Sequence, residues 1–268
     1  MNLFILVIII ILLLLFLLKK SKNTKEIPKI IWTYWHSEHD TPQFIKNCIQ
    51  NWKDKNPDYT VHVITEKTLE KHVGKYEAQK IIWWKYNDSP QRMSDLVRLS
   101  VLSKHGGIWL DASCVCNESF DWIFKENASC ILYSIPEISH QIVLESWFIA
   151  CTPRNEYITK VNEEFRNVDS FPTIRDYIKS ISHVDKTGID YNINYLLVYL
   201  VMKKVFEESD TSNIKVLNAS QGPYIYHLHG GLKSICDSSS FEKPKFFKFR
   251  KEERNSMNEE IEKCLFMV

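Results

Sequence analysis

The feature that most constrains the fold is a helix leading through a glycine pair into a short apolar strand that ends at Asp111. Ser89 and Pro90 are typical of a helix N-cap and first helical position, and glycine is typical of the position after a helix, which predicts a helix over residues 90–105. The chain has only 7 glycines, so the pair Gly106-Gly107 indicates a backbone conformation that other residues avoid. The pattern predicts a helix packed against a buried strand.

Strands and helices alternate around this unit. β-branched and aromatic residues predict strands, and apolar residues at helical spacing predict helices. The predicted strands are residues 29–35, 59–65, 108–111 and 128–135, with an apolar segment at 147–150. The other predicted helices are residues 42–53, 66–72, 76–86, 155–166, 171–181 and 190–208. This alternation predicts a single α/β domain over residues 28–268.

The N-terminus contains an unbroken apolar run, residues 3–18, without a charged side chain. As a helix the run would span about 24 Å, and we interpret residues 1–18 as a single-pass transmembrane anchor followed by a polar linker at 19–27. Four lysines follow the run and none precedes it, so the positive-inside rule predicts a membrane protein whose main domain faces the cytoplasm. A cleaved signal peptide is the alternative, but the basic segment and cleavage site typical of one are missing.

Charge and cysteine content limit the partners and the compartment. A net charge of +1 provides no basic field for phosphate backbones, so we expect no nucleic-acid partner. The 7 cysteines cannot all pair and lack the CxxC spacing of zinc or redox sites, which favours a reducing compartment. Asn-x-Ser triplets at Asn87, Asn117, Asn127 and Asn218 favour a secretory compartment instead, but such triplets arise often in a chain rich in Asn and Ser.

Asp111 lies where open α/β sheets bind ligands, at the carboxyl end of a buried strand. A carboxylate there suits a hard divalent cation that neutralises a pyrophosphate. Taken alone, Asp111 fits a turn at a strand end, and Asp95 with Arg98, three residues apart on the preceding helix, fits an exposed ion pair. Together with the glycine pair, however, these residues predict a carboxylate and a guanidinium directed at a ligand's hydroxyl groups.

A longer stretch carries a family resemblance. SDLVRLSVLSKHGGIWLDAS, residues 94–113, resembles the block SD-x-x-R…GG-(I/V)-(Y/W)-LD-x-D of glycosyltransferase family 32, the glucosylating clostridial toxins and the capsular polysaccharide synthesis proteins. Its ending, Asp-Ala-Ser, is nearest to the capsular group. IPKIIWTYW, residues 27–35, and SWFIACTPRN, residues 146–155, also resemble segments of these proteins. The similarity is good over residues 28–155 and weak in the C-terminal third.

The resemblance implies a GT-A fold, a Rossmann-like mixed sheet flanked by helices. It also implies transfer of a sugar, with retained configuration, from a UDP- or GDP-sugar donor to a glycan, polysaccharide or lipid-linked acceptor. Asp111 would be the first Asp of the DxD motif, binding metal and donor, while Asp95 and Arg98 would contact the donor's ribose and sugar. Trp32 would stack on the base, and Gly106 and Gly107 would help to form the donor site.

The departure from the motif is Ser113, which replaces the second Asp with a neutral and poorer ligand for Mn²⁺ or Mg²⁺. We expect His227 and His229, spaced i and i+2 on a predicted strand, to complete the metal site, although the pair fits partly exposed strand histidines equally well. Arg92 is a weaker donor-site candidate, and Asp190 either positions the acceptor or only begins a helix.

The replaced Asp leaves alternatives to an active transferase open. One is a non-catalytic relative that binds a nucleotide sugar or a glycan. Another is a glycoside hydrolase, which would need a second carboxylate facing Asp111.

Overall fold

The structure is a computed structural model that describes residues 26–37, 40–136, 142–237 and 239–266. Its strands are β1 (Ile30–Tyr34), β2 (Thr60–Ile64), β3 (Gly107–Leu110), β4 (Cys114–Cys116), β5 (Cys130–Ser134), β6 (Leu144–Cys151), β7 (Ile214–Asn218) and β8 (Phe246–Lys248). Its helices are α1 (Gln43–Lys55), α2 (Leu69–Val73), α3 (Lys75–Ile82), α4 (Pro90–His105), α5 (Glu156–Asn167), α6 (Ile174–Ser180), α7 (Leu197–Glu207), α8 (Lys251–Asn255) and α9 (Glu259–Phe266).

Six strands form a mixed sheet in the order β2-β1-β3-β6-β5-β7, and β4 pairs with β8 in a separate two-stranded sheet. β1 is parallel to both β2 and β3, β6 is antiparallel to β3 and β5, and β7 is parallel to β5. Side chains alternate across β3: Trp109 packs into the core cluster that includes α4, α5 and α7, whereas Ile108 and Leu110 pack into the cluster that includes α1, β4 and β8. The predicted mixed α/β sheet flanked by helices is therefore confirmed.

The prediction for α4 is confirmed at both ends. The Ser89 hydroxyl accepts a hydrogen bond from the backbone N–H of Arg92, Pro90 is the first helical residue, and Gly106 follows the helix with φ +63°. Gly107 has φ +97°, so both glycines adopt positive φ, as the pair predicted.

Two C-terminal predictions were wrong. Residues 190–208 form a 3-10 turn, Asp190–Asn192, followed by the separate helix α7, and the segment with both histidines is a 3-10 helix, Ile225–His229, instead of a strand. Hydrogen bonds from Ile225 N–H to Gly222 O and from His227 N–H to Tyr224 O close its turns, and Gly230 ends it in the left-handed conformation. Five residues are too few for sequence periodicity to distinguish a short helix from a strand.

The predicted anchor, residues 1–18, and the linker up to residue 25 lie outside the described residues. In the part of the chain that the structure describes, no helix has the length and apolar character needed to cross a membrane.

One pair of cysteines is joined, although the cysteine content favoured a reducing compartment. Cys236 and Cys264 form a disulfide with their Cα atoms 5.4 Å apart, which ties α9 to the 3-10 helix Leu232–Cys236. The other five cysteines are buried and free: Cys48, Cys114, Cys116, Cys130 and Cys151. The bonded cysteines are 28 residues apart in sequence, so their pairing depends on tertiary contacts that spacing alone does not reveal.

Candidate functional site

Asp95, Arg98 and Asp111 meet where α4 passes the carboxyl end of β3. The glycine turn makes the helix fold back along the strand, so the first half of α4 lies beside the strand end. Arg98 Nη1 donates to Asp95 Oδ1 over 2.8 Å, and Arg98 Nη2 donates to Asp111 Oδ1 over 3.0 Å. The guanidinium lies 4.9 Å from the centroid of the Trp109 ring, within cation–π range. The three residues that the motif predicted as catalytic therefore form one connected group.

The helix pair is buried, so an exposed ion pair is the wrong description. Asp95 and Arg98 are 7% and 4% exposed. Burial raises the pKa of Asp95 to about 6, although the positive charges of Arg98 and Arg92 act to lower it. Removing one partner from a buried pair leaves an uncompensated charge, so the loss of stability is larger than for a surface pair.

The pH dependence of stability tests this burial. Folded Asp95 keeps its proton up to about pH 6, whereas an unfolded Asp releases it near the ordinary value of 3.8. Rising pH over this window therefore favours the unfolded state through Asp95. The Asp95→Asn variant lacks this titration. We therefore expect the free energy of unfolding of the variant, minus that of the wild type, to increase between pH 4 and pH 7 by about 3 kcal/mol at most. Urea unfolding of both proteins at each pH measures this, and a difference that stays constant with pH would contradict it.

Asp111 is the member of the group that reaches solvent, with 29% of its side chain exposed. Oδ1 accepts hydrogen bonds from Arg98 and from Trp109 Nε1, the latter over 3.0 Å, and Oδ2 accepts one from Lys248 Nζ over 3.2 Å. Burial alone would raise the pKa of Asp111, but the charges of Lys248 and Arg98 and these hydrogen bonds outweigh it, and the pKa lies below its ordinary value. Asp111 is thus an ionised carboxylate held between two cations.

Ser113 is buried, and its hydroxyl both donates and accepts a hydrogen bond in the β8 region. Its hydroxyl donates to the backbone carbonyl of Phe249 over 2.8 Å and accepts from Lys248 Nζ over 2.8 Å. The Phe249 N–H donates to the Ser113 carbonyl, which fixes the residue from the backbone as well. Lys248 therefore bridges the first and third positions of the Asp-Ala-Ser segment.

Comparison with known proteins places this block in a family. The family model described as capsular polysaccharide synthesis protein matches residues 13–246. The chain belongs to the capsular polysaccharide synthesis protein family. The resemblance carried by the motif is thus confirmed, and Lys248 lies just beyond the matched region.

Curated relatives of this capsular family member are glycosyltransferases by name. An initiation-specific alpha-1,6-mannosyltransferase of Candida albicans is 30% identical over 116 residues, which are 41% of this chain and 30% of that protein. A mannosyl phosphorylinositol ceramide synthase of Saccharomyces cerevisiae is 23% identical over 216 residues, 80% of this chain and 53% of that protein. The chain thus spans about half or less of the length of these relatives.

A solved structure, the PaToxG glycosyltransferase, is 15% identical and covers 94% of both chains with a TM-score of 0.46. At that score the structural similarity is loose.

Trp32 does not offer a ring face to a base in this structure, contrary to the predicted role. The side chain is 3% exposed, the His62 ring stacks on it at 4.6 Å, and its indole N–H donates to Gly106 O over 2.9 Å. Parallel pairing of β1 with β3 places Trp32 opposite Trp109, but its indole points back toward the start of β3. The tryptophan therefore stabilises the glycine turn.

Gly106 and Gly107 lie at the opposite end of β3 from Asp111. Three strand steps separate Gly107 from Leu110, a span of about 10 Å, so direct contact with a ligand at Asp111 is not their role. A Cβ on Gly106 would lie 2.5 Å from Pro153 N, and one on Gly107 would lie 2.7 Å from Ile30 O. The pair instead permits close packing of the turn against neighbouring backbone.

The predicted histidine ligands are not arranged as a pair. His227 Nε2 lies 2.9 Å from Glu253 Oε1 of α8, whereas the His229 ring contacts Phe241 with centroids 5.2 Å apart. With three residues per turn of a 3-10 helix, positions i and i+2 face different directions. Across the described ranges, no group of three or more His, Cys, Asp or Glu side chains is placed to hold a metal ion.

Arg92 and Asp190 differ in their relation to the site. Arg92 is 5% exposed, contributes its positive charge at Asp95 and donates through Nη2 to the carbonyl of Asn194. Among the described residues, its Nε and Nη1 have no hydrogen-bond partner. Asp190 is exposed in its short turn, Asp190–Asn192. Arg92 thus belongs to the site's electrostatic surroundings.

Sequence reasoning missed three residues near Asp111. Lys248 donates a hydrogen bond to Asp111, and Glu145 is the second residue of β6, the strand paired with β3. Partial burial, together with the negative charges of Asp111 and Asp95, raises the pKa of Tyr195. Glu145 accepts a hydrogen bond from Tyr199 over 3.0 Å, and burial raises its pKa. No signal in the sequence indicated Lys248 either, because a lysine between two phenylalanines fits the alternation of a strand whose lysine faces solvent.

Proposed function

We propose that this chain is a glycosyltransferase that uses a nucleotide-sugar donor and binds it at Asp111, Asp95 and Arg98. The observation that carries the proposal is the connected group of two carboxylates and one guanidinium at the strand end, within the residues that the family model matches. Carboxylates accept hydrogen bonds from ribose and sugar hydroxyls, and nearby cations suit a diphosphate.

The charges at the site favour transfer from a phosphate leaving group. The anomeric carbon–oxygen bond to the diphosphate breaks with its electron pair going to the phosphate oxygen. A bond forms from the acceptor hydroxyl to the anomeric carbon, and the hydroxyl proton passes to the departing nucleoside diphosphate. Arg98 and Lys248, both bound to Asp111, provide positive charge beside the position where this negative charge develops.

The relatives' names suggest where to look for substrates. Mannosyltransferases are prominent among them, so a mannosyl donor is our first choice, with a UDP-hexose second. One relative is named for inositol phosphoceramide, so lipid-linked molecules remain candidate acceptors together with glycans and polysaccharides. We further propose that sugar configuration is retained and that residues 1–18 anchor the chain to a membrane with its main domain on the cytoplasmic side.

The test is a screen of the purified chain against UDP-, GDP- and CMP-sugars. We expect one nucleotide class to raise the melting temperature, since a ligand that binds only the folded state stabilises it, and to release nucleoside diphosphate when an acceptor is added. A melting shift without release under any acceptor would instead support the non-catalytic relative. Hydrolysis of simple glycosides without any nucleotide would support a hydrolase and contradict the proposal.

A further inference from the structure

We propose that the Lys248 ammonium is the fixed cation of the donor site, binding the donor's diphosphate so that transfer proceeds without a divalent metal ion. This inference rests on the proposed glycosyl transfer and concerns how the leaving group is neutralised. It replaces the expected Mn²⁺ or Mg²⁺ with a side chain of this chain.

The space between the two motif side chains is taken by the ammonium. Lys248 Nζ lies 3.2 Å from Asp111 Oδ2 and 2.8 Å from Ser113 Oγ, and only 10% of the lysine side chain is exposed. Mg²⁺ binds oxygen ligands at about 2.0–2.1 Å, so an ion shared by these two oxygens would overlap the ammonium. The predicted ligand set therefore does not fit a divalent cation here.

Ligand chemistry points the same way. The hydrogen of the Ser113 hydroxyl is directed to the Phe249 carbonyl, and one lone pair accepts from Lys248. Asp111 already accepts hydrogen bonds from Arg98, Trp109 and Lys248. A divalent ion would also be repelled by both neighbouring cations.

Formal charge shows why Ser113 and Lys248 belong together. In a complete DxD motif, the second Asp would contribute −1 and a divalent ion +2, a sum of +1. Here Ser113 contributes 0 and Lys248 contributes +1, which gives the same sum. Ser113 with Lys248 therefore presents the same formal charge to a diphosphate as an Asp with a divalent ion would.

The ammonium is held in place and keeps a donor for a ligand. β8 pairs with β4, where Lys248 lies opposite Cys114, and Tyr226 donates its hydroxyl hydrogen to the Lys248 carbonyl over 2.9 Å. The lysine is flanked by Phe247 and Phe249, at 1% and 0% exposure. An ammonium has three N–H donors, and two are used by Asp111 and Ser113, so the third is available to a phosphate oxygen.

The decisive measurement is the affinity of the full chain for UDP and GDP by titration calorimetry, in EDTA and in MnCl₂. We expect the preferred nucleotide to bind in EDTA within about threefold of its affinity in MnCl₂, and Lys248→Met to weaken binding in EDTA by about tenfold or more. Lys248→Arg keeps the positive charge and should retain more affinity than Lys248→Met. The matched control is Lys245→Met, three residues earlier, where the side chain is 52% exposed and pairs with Glu118.

The outcomes separate this inference from the proposed function. If wild-type binding and turnover vanish in EDTA and return with Mn²⁺, the proposed role of the lysine is overturned while glycosyl transfer stands. This comparison uses only the wild-type protein, so it does not depend on whether a variant folds. Unchanged nucleotide affinity in a folded Lys248→Met protein would also overturn it. Absence of binding to either nucleotide in both buffers, together with absence of turnover, would instead contradict the proposed function itself.

Discussion

Asp111→Asn is expected to reduce sugar transfer by about a hundredfold to a thousandfold while leaving a folded protein. The substitution preserves the shape of the side chain but removes the negative charge that Arg98 and Lys248 share. The amide also replaces one of the two accepting oxygens with an NH2 group that only donates, so at least one cation loses its partner. Turnover with the preferred donor measures the effect, and thermal unfolding shows whether the variant remains folded.

The matched control for this variant is Asp121→Asn. Asp121 also pairs with a lysine, since Lys29 Nζ lies 2.9 Å from its Oδ1, but its side chain is 52% exposed and the pair lies outside the site. Exposed pairs contribute little, so this variant should keep wild-type turnover. Equal turnover in folded Asp111→Asn and Asp121→Asn proteins would remove Asp111 from the mechanism.

Local sequence signals predicted the part of the site that is formed by α4, the glycine turn and β3. Ser89, Pro90 and Gly106 specify the ends of α4, and the glycine turn requires the helix to fold back along β3. Because of this fold-back, Asp95 and Arg98 near the middle of the helix must approach the strand end at Asp111. The contact among these three residues therefore follows from local sequence alone.

Residues whose roles depend on distant packing were not predictable in this way. Lys248 is 137 residues from Asp111, and its contact exists only because β8 pairs with β4. The direction of the Trp32 indole, toward Gly106 instead of a ligand, depends on the His62 ring packed against it. His227 was misplaced because a five-residue segment does not reveal whether its backbone is extended or helical.

Gly106→Ala is expected to destabilise the fold by more than about 4 kcal/mol, the largest stability effect we predict. Gly106 has φ +63° and ψ −158°, a conformation essentially restricted to glycine. A Cβ there would lie 2.5 Å from Pro153 N, 2.6 Å from Thr152 C and 2.7 Å from Cys151 O. These are backbone atoms next to the end of β6, so neither the turn nor its neighbour yields without disturbing the β3–β6 pairing beside Asp111. Urea unfolding of the variant measures the loss.

Gly74→Ala separates the clash from the backbone strain. Gly74 has φ +94° and ψ 154°, in the same sparsely populated region, yet no atom lies within 4 Å of the position that a Cβ would take. This variant should lose only the strain, about 1–3 kcal/mol. Equal losses in the two variants would mean that the close approach of β6 to the turn does not restrict residue 106. A larger loss of stability at Gly106 would show that the packing of α4 against β3 requires the first glycine of the pair. The same packing holds Arg98 against Asp111.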